Sequence, residues 1–249
     1  MSGGHPYDEP AFADLLAALD GWQVDHLVHP DAELAVAQGA ADGAGAILFY
    51  DMPGYTFADC QARTRAPTEA FKDALHHYFA AGGGAVALHH ALAGWADWPQ
   101  WSQWLGGRFL YARGAVRGRE CLDSGYRHDV PYTARVLCDH PVVAGLPPEF
   151  ALTDELYLAE VFEGSVTPLI RSAHGFVADN FFSAAHAVAG RTFDNTDWPH
   201  PPGSDLIAWT KPVEAGQLVY LQPGDGPAAW ASPHYRALLA NALAFVART

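Results

Sequence analysis

Two short apolar runs constrain the fold more than any other feature. GAILFY (Gly45 to Tyr50) and GAVAL (Gly84 to Leu88) are continuously hydrophobic, as strands covered on both faces would be. Between them Pro67 opens TEAFKDALHHYFAAG, which sets Phe71, Leu75 and Tyr78 on one helical side and stops at Gly82. Strand, helix, strand implies parallel pairing through a crossover. Upstream, Pro10 to Leu19 carries Phe12, Leu15, Leu16 and Leu19 at helical spacing, with Asp8 or Glu9 as cap and Gly21 as stop. Trp22 to Val28 alternates and predicts a half-buried strand. Downstream, LIAWTKP and QLVYLQP predict a β-hairpin, and Ser232-Pro233 opens a last helix striped with Tyr235, Leu238, Leu239, Ala242 and Val246.

From Trp95 to about Pro202 the texture changes to aromatics, prolines, glycines and short β-like runs such as VPYTARVL. This predicts an irregular, β-rich insertion packed over the sheet, within a single domain spanning 1–249. Half of the 249 residues are apolar and 17% are charged, so the chain can bury a full core. Fourteen basic against twenty-eight acidic side chains give a formal charge of -14, which argues against nucleic acid or an anionic membrane as partner. Three cysteines without CxxC spacing indicate neither a disulfide framework nor a thiolate zinc site. No run reaches the roughly 18 apolar residues of a membrane span, and MSGGHPYDEP lacks the pattern of a secretory leader. A cytoplasmic protein with a small neutral ligand is expected.

In open parallel sheets, ligands bind beyond the carboxyl ends of the strands. Here GAILFY runs into Asp51, GAVAL into His89-His90, and QLVYLQP into Gly224-Asp225. Histidine and carboxylate are the side chains whose pKa values burial and nearby charge can shift toward proton transfer. Each has a plainer reading: His89 or His90 as a core or turn residue, Asp51 and Asp225 as Asx-turns. In FALTDELY (Phe150 to Tyr157), Glu155 and Tyr157 flank a leucine and are expected to share one side of an extended segment. Arg108, Arg113, Arg117, Arg119, Arg127 and Arg135 read first as a solvated loop. His76 and His77 read as a helical surface or packing pair. Trp95, Trp98, Trp101 and Trp104 recur every three residues, which first indicates packing, although aromatic rings also stack on sugars.

At these residues the chain resembles the ThuA-like, or trehalose-utilisation, family, within the class I glutamine amidotransferase-like superfamily. The resemblance rests on GGHPY (Gly3 to Tyr7), FYDMPG (Phe49 to Gly54), GGGAVALHHALAGW (Gly82 to Trp95), LGGRF (Leu105 to Phe109), HPV (His140 to Val142), FALTDELY and QPGDGPAAWASPHYRALLANAL (Gln222 to Leu243). It implies a flavodoxin-like, three-layer, doubly wound α/β fold with a mainly parallel sheet. Two departures stand out. The family has a short strand before GGHPY, so the first strand is expected to be missing here. It also often shows Gly-His where this chain has Gly224-Asp225. The turn Leu88-His89-His90-Ala91 lacks the amidotransferase cysteine, so glutamine hydrolysis through a thioester is excluded.

Three functions compete. The first is a carbohydrate-catabolic enzyme acting on trehalose or a keto-sugar relative. Its catalytic residues would be His89, His90, Asp51 and Glu155, with His5, Tyr7, Trp95, Tyr157 and Asp225 binding substrate. The second is a non-catalytic sugar-binding or accessory protein. The third is a hydrolase dependent on a divalent metal, for which no spacing fixes a ligand set, so the cofactor stays unassigned. A homodimer is common at this size, but no sequence feature marks its surface.

Overall fold

The fold is seen in a computed structural model that describes residues 1–247. A nine-stranded sheet organises the chain: β1 (Ser2–Gly3), β2 (Ile47–Asp51), β3 (Ala85–Leu88), β4 (Gly125–Val136), β5 (Glu149–Leu158), β6 (Thr167–Ser172), β7 (Phe182–Ser183), β8 (Leu206–Val213) and β9 (Gly216–Leu221). Its order is β1-β2-β3-β9-β8-β6-β4-β5, with β7 also pairing β4. The four strands β1, β2, β3 and β9 run parallel. Beyond β9 each pairing is antiparallel.

The longer helices among the described residues flank the sheet: α1 (Glu9–Ala17), α2 (Asp31–Ala37), α3 (Glu69–Ala80), α4 (Pro99–Leu105) and α5 (Pro233–Val246). Strand residues alternate between two cores because successive side chains point to opposite faces. Val86, Leu88, Val219 and Leu221 pack with Phe12 and Leu15 of α1 and Leu238 and Leu239 of α5. Ile47, Phe49, Ala85, Ala87, Leu218 and Tyr220 pack with Val36 of α2, Phe71 and Leu75 of α3, and Trp101 of α4. Strands apolar at consecutive positions are therefore those covered on both sides. Caps follow the sequence signals: Asp8, Thr68 and Ser232 accept from the first-turn amides of α1, α3 and α5. The four periodic tryptophans are 7% exposed or less and form a packing wall.

Three expectations are corrected. The first strand is present: β1 pairs Ser2 with Tyr50 and Gly3 with Asp51, and the Met1 ammonium donates to the Leu48 carbonyl at 2.6 Å. Trp22 to Val28 forms no strand beyond one bridge, Val28 to Ser2, because β1 offers it only two residues to pair with. Finally, 95–202 supplies β4, β5, β6 and β7 in the plane of the sheet, so these strands widen it rather than cover it. The proline in β4 obscured this. Pro131 pairs with Thr153 on β5, but the other side of β4 is paired only at 125–126 and 134–136, and the gap tolerates a missing N–H.

Candidate active site

The register of β3 against β9 sets Leu88 opposite Leu221, which brings the next residues, His89 and Gln222, together. His89 turns out of β3 at φ +32°, a conformation sparsely populated by residues with a Cβ. Its Nδ1 donates to the Gln222 carbonyl at 2.6 Å, which fixes one proton, since a carbonyl can only accept. Its Nε2 lies 2.7 Å from Glu155 Oε2, also an acceptor. Both ring nitrogens face acceptors, so this geometry holds an imidazolium. Burial alone would lower the His89 pKa, but the Glu155 hydrogen bond and the charges of Asp225 and Asp154 push it up to about 9.

His90 is held in the opposite state. Its Nδ1 lies 2.8 Å from the Tyr157 hydroxyl and its Nε2 3.0 Å from Asp225 Oδ1. Burial, then the neighbouring His5, push it down to about 3, so the ring is neutral. Burial raises the Tyr157 phenol well above its usual range, so the hydroxyl donates to Nδ1 and leaves the ring proton on Nε2, toward Asp225. The Asp225 carboxyl resists the upward effect of burial, and its hydrogen bond to His90 and the charge of His89 hold it well below the usual carboxylate range. His5 lies against His90, its ring tilted by 43° with 3.8 Å between centroids, and donates from Nε2 to the Tyr50 carbonyl at 2.9 Å.

The loop carrying Asp225 is anchored on three sides. Asp154 Oδ2 accepts from the Gly224 amide at 2.6 Å and the Asp225 amide at 3.3 Å, and the Tyr50 hydroxyl donates to the Asp225 carbonyl at 2.5 Å. Burial lifts the Asp154 carboxyl to about 7. Gly224 sits at φ +122°, where a Cβ would stand 2.2 Å from the Tyr235 hydroxyl oxygen, so only glycine fits.

The structure thus brings together His89, His90, Glu155, Tyr157, Asp225 and His5. Three expected site residues stand elsewhere. Asp51 is buried and pairs with His29, Oδ2 to Nε2 at 2.7 Å. Trp95 is buried beside His29 with Arg65 over its ring. Tyr7 bonds the Ser2 hydroxyl at 2.8 Å and reaches the site only through its ring, 5.5 Å from that of His5. Three contributors escaped the sequence reading: Asp154, Gln222 and His128. His128 Nδ1 lies 3.1 Å from Glu155 Oε1, brought there by an irregularity between β4 and β5 where the register jumps and Asp129 adopts φ +53°. No residue pattern announces such a bulge.

Asp225 and the half-exposed His128 open into a cavity of about 550 Å³, shared with Arg127, Asp129, Phe182 and Phe193. Fold and site together define an α/β protein with a histidine–carboxylate crevice at its strand ends and no thiol or hydroxyl nucleophile in the turn after β3. Over residues 42–246 the sequence matches the ThuA family, described as Trehalose utilisation, and the chain belongs to it. Solved structures agree on the fold. A ThuA-like protein from Bacteroides uniformis ATCC 8492 superposes with a TM-score of 0.62 at 19% identity, over 98% of this chain and 88% of that one. A ThuA-like protein from Parabacteroides merdae ATCC 43184 gives 0.62 at 14% identity over the same shares. A protein from Salmonella typhimurium, described as cytoplasmic, gives 0.57 at 15% over 94% and 86%. No curated protein matches. No helix among the described residues is long and apolar enough to cross a membrane.

Proposed function

We propose that this protein is a cytoplasmic enzyme of carbohydrate catabolism that moves a proton on a sugar or keto-sugar substrate in the crevice beside Asp225. One arrangement carries the reading: His89 places both ring nitrogens on acceptors, which favours its charged form, while burial and the neighbouring His5 favour the neutral form of His90. Neighbouring titratable groups driven apart in this way are the arrangement that acid–base catalysis needs. The base is the His90–Asp225 pair: the Asp225 carboxylate, the most exposed of the four clustered groups, takes the substrate's proton, while neutral His90 donates to it from Nε2 and holds it in place. Charged His89 lies deeper, with both N–H groups taken by Gln222 and Glu155, and its charge holds the Asp225 carboxylate ionised at the rim. Glu155 keeps His89 protonated, and Tyr157 orients His90. The family description and the cytoplasmic relative support the sugar setting and the compartment.

The test is turnover across a panel of disaccharides and their keto derivatives. Replacing a general base lowers the rate by about 10²–10⁴-fold, so His90→Ala should do so on any substrate found. Undiminished turnover in that variant rejects the mechanism. Calorimetric binding without turnover favours an accessory sugar-binding protein instead.

A second reading rests on a separate observation: ligand atoms of His89, His90, Glu155 and Asp225 all lie within 4.8 Å of one another. Two imidazoles and two carboxylates suit a divalent transition metal. Each of His89, His90 and Glu155 is backed by a further partner, Gln222, Tyr157 and His128 respectively, as metal ligands usually are. Metal analysis of untagged protein decides occupancy. A stoichiometric ion whose removal lowers the melting temperature supports it.

A further inference from the structure

Phe193 is 61% exposed, so its ring gains little from folding. Its backbone sits at φ +59°, which disfavours a side chain with a Cβ. Yet the conformation is held firmly: its amide donates to the Tyr126 hydroxyl at 3.0 Å, and the next carbonyl, that of Asp194, accepts from the Ser183 amide at 3.0 Å. Beyond edge contacts with Phe182, Tyr126 and His128, most of the ring is left open on a strained backbone, so packing alone does not account for it. Strain of this kind gathers at binding sites.

Its surroundings indicate what it meets. Phe182 stands edge-to-face with Phe193 at 5.5 Å, and the Arg127 guanidinium lies 4.7 Å from the Phe182 ring centre. Both aromatics line, with Asp225, the open cavity of about 550 Å³, a size within the roughly 300–1,000 Å³ of small-molecule sites. His128 bridges the two regions, its ring 6.2 Å from Phe193 and its Nδ1 on Glu155. One guanidinium and two carboxylates, Asp129 and Asp225, share the rim with the apolar rings. Mixed charge beside an open aromatic face suits a neutral polyhydroxylated ring, with C–H groups on Phe193 and hydroxyls on the ionic side chains.

Building on the reading of the crevice as a sugar site, we propose that Phe193, with Phe182, Arg127 and Asp129, forms a subsite for a second, non-reacting sugar ring, so that the protein selects glycosides of at least two units over monosaccharides. The test measures binding of trehalose, maltose and glucose to wild type, Phe193→Ala, Phe193→Trp and Phe193→Gly by saturation-transfer NMR and calorimetry. Trehalose or maltose should bind wild type at least tenfold more tightly than glucose. Phe193→Ala should bring that ratio to within twofold of one, and Phe193→Trp should keep it. Phe193→Gly should lose it while raising the melting temperature, because glycine relieves the backbone; a residue needed for folding would lower it. A disaccharide preference that survives Phe193→Ala, or none in wild type, overturns the subsite. His90-dependent turnover without any disaccharide preference removes the subsite and leaves the proposed enzyme standing. Phe193-dependent binding with His90-independent turnover does the reverse.

Discussion

His89 and Glu155 are separated by 66 positions in the chain and meet in full burial, Nε2 to Oε2, at 2.7 Å. Removing one partner of a buried ion pair leaves the other charge uncompensated, at a cost of about 3–5 kcal/mol. Glu155→Gln keeps the shape and an acceptor but removes the charge. It should lower the unfolding free energy by about 3 kcal/mol in urea titration at pH 7. A loss below about 1 kcal/mol would mean that the pair is not ionised.

The same pair makes stability depend on pH. A histidine raised from 6.5 in the unfolded chain to about 9 in the fold binds its proton more tightly when folded. Its contribution is complete below about pH 6.5 and declines as pH rises through 9. Wild-type stability should therefore fall between pH 6.5 and 9, and His89→Gln should flatten that fall. A profile of wild type that is level across this window contradicts the assignment.

Asp154 acts between lower limits. Its carboxyl rises from 3.8 to about 7 on folding, chiefly by burial, so the fold favours the protonated form. Stability is greatest below pH 3.8 on this account and drops as pH rises to 7. Asp154→Asn retains an oxygen to accept from the Gly224 amide and never ionises. It should be more stable than wild type at pH 8, by roughly 4 kcal/mol at 1.36 kcal/mol per pKa unit, and the difference should shrink toward pH 4. Equal stability at both pH values would show that the carboxylate is adequately solvated.

Gly224 tests the loop that presents Asp225. Gly224→Ala forces a Cβ against the Tyr235 hydroxyl and a backbone that alanine avoids, so a loss of about 3 kcal/mol or more is expected. The Tyr235 hydroxyl has no hydrogen-bond partner among the described residues, so Tyr235→Phe alone should be near neutral. Combined, the two should recover part of the loss. A strictly additive double-mutant cycle would show that the clash is not the cause.

Asp51 separates proximity to the strand end from membership of the site. Its only hydrogen-bonded partner among the described side chains is His29, whose ring lies 5.8 Å from that of Trp95. Asp51→Asn should reduce stability by about 1–3 kcal/mol, measured by denaturation, and leave kcat within about twofold of wild type. A hundredfold loss of kcat in a folded variant would restore it to the machinery.

Much of this arrangement was legible in the residues, for identifiable reasons. GAILFY and GAVAL read correctly because doubly covered strands carry no polar face, and parallel strand ends then located His89, His90 and Asp225. Period-two geometry put Glu155 and Tyr157 on one side, where they reach His89 and His90 respectively. Asp51 misled because strand parity, which decides which face a terminal residue joins, depends on pairing that composition does not show. Trp22 to Val28 had the pattern of a strand but too short a neighbour. The bulge that aims His128 and the strained Phe193 arise from tertiary contacts, and no local pattern encodes them.

The central claim is that His89 is charged and His90 neutral at the same pH. Nitrogen-15 NMR of the two imidazoles tests it most directly, with assignments from His89→Gln and His90→Gln. At pH 7 the account predicts two protonated ring nitrogens on His89 and one on His90, with no titration of His90 between pH 5 and 8. A neutral His89 at pH 7, or a His90 that titrates near 6.5, would contradict it.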